Sequence, residues 1–226
     1  MKLGWVCVLI LVPPLFVLPA HAEEKMWREH NIAADSLSAD ERALLEETVR
    51  RIGSLPQGEV TMNPSAYYRL SRFKRLFGFR FDGERLKGWL LARMKSVVYG
   101  EGWTIAENDH QGNFRLGDRF FKKSDFLERA YCLIHEARHT DGDGFRHVPC
   151  PKDHRYVSAG APGMDLTQNL ACDAMEDGAY AFQAAFLFEL YARGFEGGER
   201  AGLLYNSSLT RIVVSPRADD SAISHR

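Results

Sequence analysis

The segment FLERAYCLIHEARHTDG, from Phe126 to Gly142, constrains the fold most, because it predicts a helix with two distinct faces. Apolar side chains recur along it at helical spacing and form one stripe, made by Phe126, Ala130, Leu133, Ile134 and Ala137. We expect Ser124 to be the N-cap and Gly142 to end the helix soon after the last apolar position. The stripe must be buried in a core, while the neighbouring face carries His135 and His139.

These two histidines and the residue between them predict a metal site. On a helix, positions four residues apart lie about 6 Å from each other on one face, so both imidazoles can bind one ion. Glu136 follows the first histidine and is placed to take a proton from a metal-bound water, as a general base does. The pattern therefore predicts a zinc-dependent hydrolase. A solvated helix face with two histidines and a carboxylate is the simpler alternative.

The first residues have the features of a signal peptide. Lys2 precedes an apolar stretch, and Ala20-His21-Ala22 forms a cleavage site of the A-x-A type. We expect residues 1–22 to be removed on export, to a periplasm or outside the cell. No later segment approaches the apolar length of a membrane span.

The remaining length predicts one domain. Removing 22 of 226 residues leaves 204, which is enough for one sizeable core. We expect a single catalytic domain over residues 23–212 and a flexible polar tail over residues 213–226. The formal net charge of −1 provides no general attraction to nucleic acid.

Three cysteines follow the predicted cleavage site, in a compartment that favours disulfides. Cys132 lies within the predicted motif helix, where we expect a small buried hydrophobe. We expect Cys150 to pair with Cys172, although spacing alone does not fix the pairing. That bond would hold the segment after the motif beside the next element.

Hydrophobic patterns and capping signals predict an α+β fold that is mostly helical, with a small sheet or hairpin packed on the motif helix. The expected helices run from Ser38 to Gly53, from Asn63 to about Phe77, from Asp82 to about Ser96, and from Met164 to Phe195. The second half of the last helical region is apolar nearly all round and must be buried. The expected hairpin joins a strand over Val97–Ile105 to a strand over Asn113–Phe121.

Basic and aromatic residues alternate in the second predicted helix, where Arg69, Arg72, Lys74 and Arg75 are interleaved with Tyr67, Tyr68, Phe73 and Phe77. Such a face can bind an anionic polymer. We favour a solvated helix face over that interpretation.

With its HExxH motif at 135–139, the chain resembles the zincin superfamily of zinc metallopeptidases, over about a third of the mature sequence. The resemblance implies a sheet lying across the motif helix, a second supporting helix and a bound Zn²⁺. It implies a peptide or protein substrate and hydrolysis of an amide bond with Glu136 as the base; export makes a cell-wall peptide a further candidate substrate. Two positions depart from the zincin pattern, Arg138 inside the motif and Asp141 after it.

A catalytic zinc needs a third protein ligand, and the sequence leaves two candidates. His139-Thr-Asp-Gly142 resembles the start of the metzincin pattern, in which a third histidine follows six residues after the second. Phe145 occupies that position here, and His147 is the next histidine, so it is our first choice. Asp173 is the rival, because gluzincins and aspzincins take their third ligand from a downstream segment.

If Asp173 or Glu176 binds zinc, His147 would support the site from behind, and Tyr180 would donate a hydrogen bond to the developing oxyanion. Isolated histidines are more often surface residues than ligands, so we expect His30, His110 and His154 to be surface residues.

A second hypothesis comes from the departures at Arg138 and Asp141. On that interpretation, the chain is an exported, non-catalytic metal-binding or scaffold protein that keeps the HExxH fold. Metal content and peptide cleavage would separate the two hypotheses.

Overall fold

The computed structural model describes residues 26–102, 105–152, 154, 156, 165–195 and 197–214. The predicted signal peptide lies outside the described residues, as does the tail beyond residue 214.

The elements follow one another as helices, a small sheet, and further helices. In chain order they are α1 (Ala39–Gly53), α2 (Pro64–Leu70), α3 (Phe73–Phe77), α4 (Gly83–Leu91), β1 (Ser96–Gly100), β2 (Ala106–Asn108), β3 (Asn113–Gly117), α5 (Asp118–Lys122), α6 (Phe126–His139), a 3₁₀ turn (Asp143–Phe145), β4 (Val148–Pro149), β5 (Leu170–Cys172), α7 (Ala179–Ala192) and α8 (Gly198–Leu209). The α+β class is therefore confirmed.

Helix α1 begins as predicted. The Ser38 hydroxyl accepts from the Glu41 backbone N–H, and the Glu41 carboxylate accepts from the Ser38 N–H, so the capping box is complete. Leu45, Val49 and Ile52 are fully buried on its inner face. The sequence predicted this cap because Ser38 and Glu41 lie within one helical turn of each other.

The next two predicted helices are shorter than expected. The segment from Asn63 to Phe77 breaks into α2 and α3 at Ser71, whose backbone is extended and whose hydroxyl donates to the Glu189 carboxylate at 2.6 Å. The third helix ends at Leu91, because the chain from Ser96 is needed as strand β1. Tertiary contacts therefore overrode helical periodicity in both places.

The aromatic residues of the basic segment mostly face inward. Phe73 and Phe77 belong to the core, and the Tyr67 hydroxyl is bonded to Glu189. Tyr68 alone among these four rings is largely exposed, at 80%. An anionic polymer would therefore meet the arginines and lysines with Tyr68 as the one largely exposed ring of the four.

The sheet differs from the predicted hairpin. Its strand order is β1-β3-β2, with β1 parallel to β3 and β2 antiparallel to β3. The first part of the expected strand over Val97–Ile105 is β1, which pairs in parallel with β3 from Ser96↔Asn113 to Gly100↔Gly117. The hairpin with β3 is made by β2, Ala106–Asn108, which begins just after the expected strand ends. β2 is consequently an edge strand, and it packs beside α6.

Helix α7 lies at the centre of the core, packed against α6 and α8. Its residues from Ala179 to Leu190 are all buried, which confirms the prediction for this apolar segment. Its acidic residue Glu189 is fully buried and paired with Arg193 at 2.9 Å, with further hydrogen bonds from Tyr67 and Ser71. Over the described residues 165–178, the predicted helix from Met164 is wrong, because Leu170–Cys172 forms strand β5.

Strands β4 and β5 form a separate two-stranded sheet that carries the disulfide. Cys150 and Cys172 are bonded, with their Cα atoms 5.1 Å apart, so the predicted pairing is confirmed. Cys132 is unpaired and buried, also as predicted. Within the described ranges, none of the helices is both long and apolar enough to cross a membrane.

Candidate metal centre

Helix α6 places the first two histidines. It starts at Phe126 with Asp125 as the N-cap, whose carboxylate accepts from the Glu128 N–H at 2.9 Å; the expected cap, Ser124, lies one residue too early. Ala130, Leu133, Ile134 and Ala137 of the apolar stripe are buried in the core, and Phe126 is partly buried against it. His135 and His139 are buried beside the stripe. One helix therefore holds both imidazoles, on the face that its sequence predicts.

A tight turn after α6 returns the chain to the same place. Gly142 has φ of +124°, which side chains other than glycine rarely adopt, and the 3₁₀ turn Asp143–Phe145 follows it. This turn brings His147 back over α6, where its Nε2 lies 3.1 Å from the Nε2 of His135. The Nε2 of His139 lies 3.3 Å from that of His135.

These three imidazoles form a group that could hold a metal ion, since one ligand nitrogen of each lies within 4.8 Å of the others. A tetrahedral ion with metal–nitrogen distances of 2.0–2.1 Å separates its ligands by about 3.3 Å. The measured separations of 3.1 and 3.3 Å match that spacing. The residues present therefore fit a metal ion bound by three histidines.

The far side of every ring is held by an acceptor. Nδ1 of His135 lies 3.0 Å from the Gln183 side-chain oxygen, Nδ1 of His139 lies 2.6 Å from the Phe145 carbonyl oxygen, and Nδ1 of His147 lies 2.9 Å from Asp173 Oδ1. Each ring donates its Nδ1 proton outward, so each neutral ring turns an Nε2 lone pair toward the shared centre. Three lone pairs that face one another repel unless a cation lies between them.

Asp173, the rival third ligand, lies behind His147 and outside the group of three histidines. Its side chain is buried, with Oδ1 accepting from His147 and Oδ2 accepting from the Tyr180 backbone N–H at 2.7 Å. Gly178 permits this placement, because a Cβ there would lie 2.4 Å from Asp173 Oδ2. Glu176 instead forms an ion pair with Arg75 at 3.4 Å. In the rival prediction Asp173 faced the metal with His147 behind it; in the structure His147 faces the other two histidines and Asp173 lies behind His147.

Burial keeps two of the rings neutral. Desolvation, followed by the nearby His139 and His147, holds the pKa of His135 well below its usual range. Desolvation lowers the pKa of His139 to about 3, with His147 as the next cause. At neutral pH these imidazoles therefore carry no proton on the nitrogens that face the centre.

Glu136 lines the cleft beside the histidines and is 7% exposed. Burial raises its pKa to about 8, and the nearby Glu107 contributes in the same direction. None of the described residues donates a hydrogen bond to its carboxylate. A cation in the histidine group would stabilise the ionised carboxylate, which could then accept a proton from water in the cleft.

The histidines form the base of an open cleft of about 640 Å³. The residues that line it include those of the edge strand β2 as well as Tyr156, Tyr180 and Arg211. The Tyr180 ring stacks on His147 with centroids 5.0 Å apart and meets His135 edge-on at 4.5 Å. Its hydroxyl accepts a hydrogen bond from Arg211, so Tyr180 belongs to a larger polar group.

Sequence reasoning missed several residues of this cleft. Gln183 and Arg211 reach it from α7 and from the end of α8, and neither belongs to a local motif. His110 also lines the cleft, half-buried, with Nδ1 3.3 Å from the His139 carbonyl oxygen. Of the predicted surface histidines, His30 is exposed and His154 is half-buried. The sequence did not predict that these residues line one cleft, because they lie far apart along the chain.

The two departures from the HExxH pattern have structural roles. Arg138 is 11% exposed and forms ion pairs with Asp141 at 2.6 Å and with Asp177 at 2.9 Å. Its guanidinium lies 3.6 Å over the Phe145 ring, next to the carbonyl that holds His139. Arg138 and Asp141 therefore brace the turn that orients two of the histidines and leave the cleft open.

No protein-family model, no curated protein and no solved structure matches this chain.

Proposed function

We propose that this chain is an exported zinc metallopeptidase of the HExxH type that hydrolyses amide bonds in peptides, proteins or cell-wall peptides. The observation that carries the proposal is the convergence of three Nε2 atoms at the base of an open cleft, with Glu136 beside them. Three histidine nitrogens are a common ligand set for catalytic zinc, which keeps a fourth position for water.

His135, His139 and His147 would hold the ion. Zinc, when bound, acts as a Lewis acid and lowers the pKa of its water toward ~7. Glu136 accepts the proton of the attacking water and returns it to the leaving amine. The acceptors behind the rings, including Asp173, keep each imidazole oriented through these proton transfers.

The edge strand supports a peptide as the substrate. In the antiparallel pairing of β2 with β3, the backbone groups of Glu107 face β3, so those of Ala106 and Asn108 face the other way. Both residues line the cleft. An extended peptide can hydrogen-bond to this edge and lie across the histidine group.

The proposal of export rests on the signal-peptide features of residues 1–22, together with the Cys150–Cys172 bond, which is typical of oxidising compartments. The non-catalytic alternative rested on Arg138 and Asp141. Arg138 forms ion pairs with Asp141 and with Asp177, so both departures have a structural explanation that does not require the loss of catalysis.

Glu136→Gln tests the proposal directly. We expect the variant to keep one zinc per chain but to lose hydrolysis by a factor of about 10² to 10⁴, because the base is removed and the ligands are kept. Metal content is measured by elemental analysis, and cleavage is measured with a broad set of quenched fluorescent peptides, with and without chelator. Glu47→Gln, on the exposed face of α1, is the matched control.

Two results would contradict the proposal. Unchanged hydrolysis in Glu136→Gln would remove the assigned base. Stoichiometric zinc in the unaltered protein, without chelator-sensitive cleavage of any peptide, would favour the scaffold alternative.

A further inference from the structure

Arg211 lies in the wall of the cleft, just after α8, between two phenol rings. Its Cζ is 4.6 Å from the Tyr156 ring centroid and 4.8 Å from that of Tyr180. One terminal nitrogen donates to the Tyr156 hydroxyl oxygen at 3.0 Å, and the other donates to the Tyr180 hydroxyl oxygen. The ring contacts therefore hold the guanidinium in its place between the two tyrosines, and the two hydrogen bonds hold its terminal nitrogens.

This guanidinium has no carboxylate partner among the described residues. Its bonds go to neutral hydroxyls, whereas Arg200, in the same cleft, is paired with Glu128 at 2.8 Å and also with Asp125. A half-buried cation with no anion is costly, and the cost is offset when an anion binds. An arginine that is held rigidly without a counterion thus indicates an anion-binding position.

Hydrogen-bond donors exceed acceptors around Arg211. A guanidinium has five N–H groups, and the two phenol oxygens accept from two of them. The Tyr156 oxygen also accepts from the Ser207 hydroxyl at 3.0 Å, so three guanidinium N–H groups remain without an acceptor among the described residues. Both phenol protons also remain available to a ligand. Such a set of donors matches the two oxygens of a carboxylate, which a planar guanidinium binds in a forked geometry.

The position of Arg211 relative to the histidines limits where that carboxylate can lie in a substrate. The Tyr180 ring separates Arg211 from His135 and His147, with centroid distances of 4.8, 4.5 and 5.0 Å. The guanidinium therefore lies within about 10 Å of the imidazoles, and two residues of extended chain span about 7 Å. A carboxylate bound there is one or two residues from the bond above the histidine group.

We propose that Arg211, positioned by Tyr156 and Tyr180, binds a carboxylate of the substrate and so selects peptides with that group one or two residues from the cleaved bond. The carboxylate is either the free C-terminus or an acidic side chain. The part of this inference that concerns substrate selection rests on the proposed hydrolysis. Binding of the carboxylate does not depend on hydrolysis, because it needs only Arg211, Tyr156 and Tyr180.

Binding to the metal-free protein tests the inference independently of hydrolysis. After chelator treatment, the protein is titrated by calorimetry with N-acetyl-Ala-Ala, with its C-terminal amide, and with N-acetyl-Ala-Asp-amide. We expect at least about tenfold tighter binding of one carboxylate ligand than of the neutral amide. Preference for N-acetyl-Ala-Ala identifies the C-terminus, and preference for the aspartyl amide identifies a side chain.

Variants locate the effect. Arg211→Gln should abolish the preference, Arg211→Lys should keep part of it through charge alone, and Tyr156→Phe should weaken it while keeping the ring. Arg50→Gln, an exposed arginine on α1, should leave the preference unchanged. Equal binding of acid and amide, or a preference that survives in Arg211→Gln, would overturn the inference.

Hydrolysis provides a second readout. In the zinc-loaded protein, Arg211→Gln should lower kcat/KM by about tenfold or more for the preferred carboxylate substrate and leave the neutral one nearly unchanged. An equal loss on both substrates would place Arg211 at the reacting oxygen and would overturn the assignment. Carboxylate-selective binding without any hydrolysis would contradict the proposed function and would still support the carboxylate-binding site.

Discussion

At the scale of single residues, the most informative contact is the one between Asp173 and His147. The sequence offered Asp173 as a ligand in competition with His147, but the structure joins the two in one arrangement, with the carboxylate accepting the Nδ1 proton of the imidazole. A carboxylate behind a histidine fixes its tautomer and strengthens its Nε2 as a ligand. Asp173 would therefore influence a bound metal ion through His147.

Replacing Asp173 with Asn tests this role. We expect metal affinity to fall about 10- to 100-fold, because the amide cannot supply the negative charge that strengthens His147 as a ligand. The measurement is a competition titration with a chromogenic chelator. Asp143→Asn, in the nearby 3₁₀ turn and largely exposed, should leave affinity unchanged. Equal affinity of Asp173→Asn and the unaltered protein would show that the charge has no part in binding.

At the scale of elements, the centre depends on how β4, β5 and the start of α7 are joined. β4 follows His147, β5 precedes Asp173, and the disulfide links Cys150 to Cys172 across the two strands. The Asp173 carboxylate also accepts from the first turn of α7, where the helix dipole stabilises its negative charge. The orientation of His147 thus depends on three elements.

Gly178→Ala is expected to disturb this junction. The added Cβ would lie 2.4 Å from Asp173 Oδ2, so the carboxylate must move and His147 loses its partner. We predict weaker metal binding, again by about 10- to 100-fold, by the same chelator competition. Gly88→Ala is the control, since a Cβ there meets nothing within 4 Å and alanine favours the helix. Unweakened binding in Gly178→Ala would mean that the junction tolerates the methyl group.

Removing the disulfide should cost both stability and metal affinity. Cys150 and Cys172 are 22 residues apart in the chain, and closing such a loop stabilises the folded state by about 3 kcal/mol in the entropic model. We expect the double serine variant to lower the free energy of unfolding by about that amount in urea, and to bind metal more weakly. Cys132→Ala, which removes a cysteine outside the bridge, should leave metal binding intact. Normal metal binding by the double serine variant would show that the disulfide does not support the metal site.

At the scale of the whole molecule, the centre joins the end of the main core to the small disulfide sheet. Helices α6, α7 and α8 pack together, and their inner faces form much of the core. His135 and His139 belong to this part, whereas His147 lies directly before strand β4 of the small sheet beside it. An ion bound to all three histidines would therefore tie the two parts together.

Metal removal should therefore lower the melting temperature. Zinc at 100 times its dissociation constant stabilises the folded state by about 2.7 kcal/mol. For a chain of this size, that corresponds to about 5 to 10 °C. We expect this shift in calorimetry after chelation, and recovery after zinc is added. His30→Ala, an exposed histidine, should behave as the unaltered protein does, whereas His147→Ala should lose the shift. An identical melting temperature with and without metal would contradict this coupling.

Local signals predicted the features whose partners are close in the chain. The capping box at Ser38 and Glu41, the helix with His135 and His139, and the buried helix from Ala179 all depend on contacts within one or two turns. The first strand of the predicted hairpin was misplaced, because its residues up to Gly100 pair in parallel with β3 and Ala106–Asn108 forms the hairpin. The predicted long helix across Ser71 was wrong, because the Ser71 hydroxyl donates to the distant Glu189 carboxylate.

By itself, the sequence determined that two imidazoles share one helical face, because helix geometry relates residues four apart, and that a carboxylate lies beside them. It narrowed the third position to His147 or Asp173 but could not assign their roles. Only the tertiary structure decided that His147 faces the centre with Asp173 behind it, and that Arg211 and Tyr156 form a wall of the same cleft. The physical reason is that these contacts join residues far apart in the chain, which only the packing of the helices and the two small sheets brings together.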